Sequence, residues 1–159
     1  MGLDFVGYYL RKGETMNDIW NMSYEERNER ELFYARKGWE LVHALNCSTS
    51  GDCTSKLQLE DWVNLMEVIS PIAPYFEEIE EAFDAYYEAD DLATFRLMNP
   101  RKAQLVDLYE KWHEHNFDEE PQLGMDFSVR YMKNFWEAGD RVISYLEDPA
   151  YEVWMVASY

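Results

Sequence analysis

The residues able to do chemistry in this chain are few in kind and mostly of one sign. Glu77, Glu81, Asp84 and Glu88 recur at i, i+4, i+7 and i+11, a spacing that lines one face of a helix at steps of ~4.5–6 Å. Glu78, Glu80, Asp90 and Asp91 widen that stripe. A carboxylate row of this kind does electrostatics rather than bond-making. It offers a basic groove the same periodic negative charge that a nucleic-acid backbone offers. Duplex DNA carries one charge per ~3.4 Å of axis on each strand, so one helix face is sparser. Glu60, Asp61 and Glu67, or Asp118, Glu119 and Glu120, are the candidates for further rows. The plainer reading of the same residues is a solvated face that keeps the protein soluble.

A second constellation is Glu-x-x-His, present as Glu40/His43 and Glu110/His113. Two such motifs facing each other, with two further glutamates, hold a di-metal site in helical bundles. That makes a small helical metalloprotein the alternative function. The usual placement is on the second and fourth helices, whereas these motifs fall on the first and fourth expected helices, close to their ends. His43, Cys47 and Cys53, with His113 or His115, form an irregular zinc set lacking any Cys-x-x-Cys pair. His113 and His115 are two apart and point to different sides of a helix. There is no Gly-x-Ser-x-Gly and no phosphate-cradling glycine loop among only 7 glycines. No catalytic residue, metal ligand or cofactor is assigned, and the chain is read as non-enzymatic.

The elements that must position these residues follow from pattern. Residues 3–10 and the final YEVWMVASY are short and apolar and read as strands; two lone strands at opposite termini most economically pair with each other. Ser23 and Glu26 form a capping box that opens a helix expected over 24–46, with Leu32, Ala35, Trp39, Val42 and Leu45 on its buried face. Further helices are expected at about 58–69, 75–89, 99–114 and 127–147. Trp39, Trp62, Trp112 and Trp136 sit at core-like spacing on these helices, and Trp20 is the candidate exposed anchor. The fold class expected is mainly α (α+β): about five helices in one domain, residues 1–159, with a short pair of terminal strands.

Composition limits the function classes. The 159 residues include 14 Lys or Arg and 32 Asp or Glu, for a net charge of −18. Residues 57–95 alone carry eleven carboxylates and no Lys or Arg. Such a chain is repelled by nucleic acid and by anionic membranes, so neither is a direct partner. Its 16% aromatic content argues against a disordered acidic tail. No apolar run approaches the ~20 residues of a spanning helix, and MGLDFVGYYLRKG lacks the features of a signal peptide. Val6 stands where a myristoylation motif has Ser or Thr. The two cysteines read as thiols of a reducing compartment, and the expected location is cytoplasmic.

The opening Met1-Gly2-Leu3-Asp4, the string Tyr34-Ala35-Arg36-Lys37 and the closing Ser158-Tyr159 resemble a loose group of small uncharacterised phage-encoded proteins. Those begin Met-Gly-Leu-Asp, carry a Tyr-x-Arg-Lys helix and end in Ser plus an aromatic residue. The resemblance covers about a third of the chain and implies a phage or prophage setting, in a host cytoplasm. By charge and size the chain is also similar to DNA-mimic inhibitors of restriction or CRISPR systems. The function expected is therefore an acidic inhibitor of a host protein with a basic nucleic-acid-binding groove, contacted through Glu77, Glu80, Glu81, Asp84, Glu88 and Asp91. A homodimer and a self-associating scaffold are the remaining alternatives.

Overall fold

Alternating apolar residues in DFVGYYLR and YEVWMVAS build the centre of the fold. These are β1 (Asp4–Arg11) and β4 (Tyr151–Ser158), antiparallel over eight paired residues from Asp4↔Ser158 to Arg11↔Tyr151. The computed structural model describes residues 4–49 and 53–158; Met1, Gly2, Leu3 and Tyr159 of the phage-like motifs lie outside the described residues. The two terminal strands pair as expected, but they are not alone. β2 (Glu31–Arg36) adds to β1 and β3 (Thr54–Lys56) to β4, giving an antiparallel sheet ordered β2-β1-β4-β3. Because side chains alternate across a strand, the sheet is buried on both faces. Phe5, Tyr9, Val153, Met155 and Ala157 meet the main helical layer. Tyr8, Leu10 and Val156 meet Ile19 of α1 (Met16–Trp20) on the other side.

The single helix expected over 24–46 is instead a helix, a strand and a second helix. The Ser23–Glu26 capping box is present, with Glu26 N–H donating to Ser23 Oγ at 3.2 Å and Ser23 N–H to Glu26 Oε2 at 2.9 Å. α2 (Tyr24–Arg30) ends where the Arg30 guanidinium donates to both Glu14 carboxylate oxygens and to the Tyr9 carbonyl. That grip holds the chain along β1, and residues 31–36 take the sheet edge rather than continuing the helix. Leu32 and Ala35 are buried in either conformation, which is why the helical spacing misleads. The discriminating residue is Phe33, left off the helical face yet only 1% exposed. Lys37 then adopts a φ of 55° and α3 (Trp39–Ala44) follows.

The remaining helices fall close to their expected places: α4 (Leu59–Ile69), α5 (Phe76–Glu88), α7 (Pro100–Asn116) and α8 (Met125–Glu147). A 3-10 turn at Ala73–Tyr75 leads into α5. One further short helix, α6 (Leu92–Met98), lies between α5 and α7. The described residues thus hold eight helices rather than five, in an α+β fold. Trp62 and Trp112 are core residues, their indole N–H groups donating to the carbonyls of Gly139 (3.1 Å) and Val68 (2.9 Å). Trp39 is half-buried, and Trp136 is exposed rather than in the core. Among the described residues no helix is long and apolar enough to cross a membrane.

The tightest point of the core is Gly7. A Cβ there would lie 2.2 Å from Cζ of Phe33, and the ring is wedged between Phe5, Trp62 and Phe135. Gly7→Ala is therefore expected to destabilise the fold by about 1–3 kcal/mol, read as a lower urea midpoint at unchanged slope. An unaltered midpoint would mean that the strand shifts freely at this position.

Candidate acidic docking face

α5 separates its two chemistries cleanly. Phe76, Ile79, Ala82 and Phe83 are buried, while Glu77, Glu81, Asp84 and Glu88 are exposed and Glu80 is half-buried. The helix carries no cation of its own, and the nearest ones come from its neighbours. Arg101 of α7 reaches Glu78 at 3.4 Å; from α8, Lys133 reaches Glu80 at 3.4 Å and Arg130 reaches Asp84 at 3.5 Å. Such long, solvent-accessible pairs contribute ~0–1 kcal/mol each. Among the described residues no Lys, Arg or His lies within 4.0 Å of Glu77, Glu81 or Glu88. The row keeps its negative field.

Asp91 has a structural task as well. It is the N-cap of α6, accepting from Ala93 N–H at 3.1 Å and from the Thr94 hydroxyl. The Thr94 hydroxyl, followed by the Ala93 amide, holds its carboxyl below the ordinary carboxylate range. Asp91 therefore stays charged at the end of the α5 row.

A second group of carboxylates lies where α5 meets α7. Tyr87, Glu110, Glu114, Asp118, Glu119 and Glu120 line a cleft of about 620 Å³ that has no Lys or Arg in its wall. Burial raises the Glu110 carboxyl, with Asp107 nearby adding to the effect. Asp118 to Glu120, one of the candidate sets for a further acidic row, share this cleft with Glu110 and Glu114. On α4, Glu60 and Glu67 are exposed and Asp61 is half-buried.

The two Glu-x-x-His motifs do not converge as a di-metal site. His43 pairs with Glu119, Glu110 lines the acidic cleft, and only Glu40 and His113 meet. Among the described residues no group of three His, Cys, Asp or Glu is placed to hold a metal ion. The zinc set fares no better. Burial pushes the Cys47 thiol up to about 11, and among the described residues no His or Cys pair is gathered round it. His113 and His115 do face different ways, one buried and the other exposed.

What Glu40 and His113 make is a buried polar joint between three helices. His113 Nε2 lies 3.1 Å from Glu40 Oε1, and the Tyr131 hydroxyl donates to the same oxygen. Alongside, the hydroxyls of Tyr109 and Ser128 are 2.6 Å apart. Glu40 Oε2 is buried with no hydrogen-bond partner among the described residues. The spacing marks Glu40 and His113 through His43 and Glu110, but they pair with each other, and the further partner of Glu40, Tyr131, is on α8. Compared with family models, with curated proteins and with solved structures, the chain matches none.

Two outcomes follow from this joint. Glu40→Ala strands the Tyr131 hydroxyl and the His113 ring inside the protein, and is expected to cost about 3–5 kcal/mol; Tyr131→Phe leaves His113 on Glu40 and costs about 1 kcal/mol. Urea unfolding of both variants checks the ranking, and equal losses would contradict it. The pH outcome concerns the phenols. Burial first, then Glu40 nearby, pushes Tyr131 above its ordinary value, and burial does the same for Tyr109. A group with a raised native value stabilises the fold fully below the unfolded value. That stabilisation is lost as pH climbs past ~10, where only the unfolded chain releases the proton. Stability should fall there by on the order of 1 kcal/mol per pH unit per tyrosine, while native phenolate absorbance at these two sites stays absent until unfolding.

Proposed function

We propose that this protein is a non-enzymatic inhibitor of phage type. It occupies the basic nucleic-acid-binding groove of a host nucleic-acid-handling or defence protein, in the manner of anti-restriction or anti-CRISPR inhibitors. The observation that carries the reading is the outer face of α5: Glu77, Glu81 and Glu88 stand exposed without a cation within 4.0 Å among the described residues, beside the lightly paired Glu80 and Asp84. Asp91 follows just beyond the C-terminal end of α5, and a separate set of carboxylates lines the 620 Å³ cleft. A basic groove that normally releases counterions to a phosphate backbone would release them equally to this surface, so affinity would fall steeply with salt. The same charge disfavours nucleic acid itself as the partner.

The test compares wild type with the variant carrying Glu77→Gln, Glu81→Gln, Asp84→Asn and Glu88→Gln. Both are immobilised and exposed to host lysate at low and high salt. The expected result is a nucleic-acid-handling or defence protein retained by wild type, released by salt and missed by the variant. Neutralisation also removes like-charge pairs worth ~0.2–0.5 kcal/mol each, so the variant's thermal midpoint should be equal or higher. A folded variant that retains the same protein with the same salt response would overturn the proposal.

A further inference from the structure

α6 reads LATFRLM and buries one large side chain, Phe95, which lies edge-on to Tyr86 at 5.7 Å. Its other anchors are polar: the Asp91 cap, and Arg96 held by both oxygens of Asp107 at 3.0 Å. Leu92, Leu97 and Met98 remain 46%, 83% and 75% exposed. A single exposed leucine needs no explanation, but three large apolar side chains on one seven-residue helix do. Of the three, Met98 alone lines a groove of about 430 Å³ where α5 gives way to α6. Ala89 and Phe95 line it too, together with the acidic Glu88, Asp90 and Asp91, and no Lys or Arg does.

We infer that this groove takes a basic amphipathic helix of the partner protein, an apolar ridge set among Ala89, Phe95 and Met98 with flanking Lys or Arg beside Glu88, Asp90 and Asp91. The inference rests on the reading of α5, because Glu88 belongs to both surfaces. Charge complementarity selects the occupant. A second copy would bring the same three carboxylates against their own images, and like charges across an interface are strongly disfavoured. Nucleic acid is repelled for the same reason. An apolar helix without cations would leave the rim carboxylates desolvated and unpaired. A small-residue floor beside a flexible methionine suits a ridge of helical side chains.

Two peptides of ~18 residues, about five helical turns, decide the matter. Both have the same Leu and Lys composition; one places Leu at helical spacing and the other is scrambled. Each is titrated by fluorescence anisotropy against wild type, against Met98→Ser, and against the four-fold neutralised α5 variant. Wild type is expected to bind the amphipathic peptide about tenfold more tightly than the scrambled one. The Met98→Ser variant should lose most of that preference while binding the scrambled peptide as wild type does. The α5 variant should bind both more weakly and keep the preference. If wild type binds the two peptides alike, the groove inference falls and the charged row stands. If α5 neutralisation leaves scrambled-peptide binding unchanged, it is the row that falls. Amide shifts of wild type on adding the amphipathic peptide give a reading independent of any variant: they should centre on residues 85–98, and shifts elsewhere overturn the site. A wild-type dimer in sedimentation that the Met98→Ser variant abolishes would assign the surface to a second copy instead.

Discussion

The ring of Phe33 lies where a side chain on Gly7 would be, and the core is arranged around that contact. Phe33 stacks on Trp62 of α4 at 5.2 Å, meets Phe135 of α8 at 4.6 Å and Phe5 of β1 at 5.6 Å. Sheet, α4 and α8 therefore meet at one residue. The contact exists only if residues 31–36 run as a strand beside β1, with the register shift between Gly7 and Tyr8 that lets the ring lie over the glycine. The indole of Trp62 then reaches the Gly139 carbonyl, at a glycine where a Cβ would lie 2.9 Å from Met66 Sδ. Two glycines thus allow close approach at both ends of the same aromatic stack. Once α8 is fixed, α5 packs against it and against α7, and the acidic row has its direction.

Magnitudes show how a helix with six carboxylates between residues 77 and 88 stays folded. Six like-charge pairs at i+3 or i+4 oppose it by about 1–3 kcal/mol at low salt. The three ion pairs to α7 and α8 return ~0–1 kcal/mol each, a sum comparable to the repulsion. Burial decides it: Phe76, Ile79 and Phe83 are nearly or fully enclosed, at ~1.5–3 kcal/mol apiece. Packing therefore outweighs repulsion with charge to spare on the outside. The inner polar joint at Glu40 works differently. It ties α3 to α7 and α8 through one oxygen of Glu40, while the other is buried without a partner among the described residues.

The sequence was most legible where one periodicity ran unopposed. α4, α5, α7 and α8 have long apolar stripes, and the terminal strands alternate; their places follow from pattern alone. Residues 31–36 were not legible, because Leu32 and Ala35 fit either period and the deciding force, the pull of Arg30 toward Glu14 and Tyr9, is tertiary. β3 has three residues, too few for any pattern, and takes its conformation from β4. α6 had a readable start, Asp91 before an apolar residue, but only one core side chain to mark its face. The acidic face of α5 could be drawn from spacing. Its borrowed cations Arg101, Arg130 and Lys133 could not, since they arrive from helices distant in sequence. The meeting of Glu40 with Tyr131, 91 positions apart, likewise depends on the whole fold.

Charge and apolar surface divide the work of recognition in a way that bears on selectivity. A carboxylate row attracts any basic groove, and long-range attraction mainly raises the rate of encounter. Alone it would not distinguish one nucleic-acid-binding protein from another. Dissociation is slowed by contacts that must be broken at close range, and desolvated apolar side chains supply most of these. On the proposed reading, α5 gathers basic partners while Ala89, Phe95 and Met98 keep only those with a matching apolar ridge. Placing the apolar residues on a separate short helix preserves both functions. Interleaved with the carboxylates of α5, they would break the anionic row; inside the core, they would be lost to the partner. α6 is held by one ring, one cap and one ion pair, so the protein can present three unburied apolar side chains without weakening the packing that orients the row.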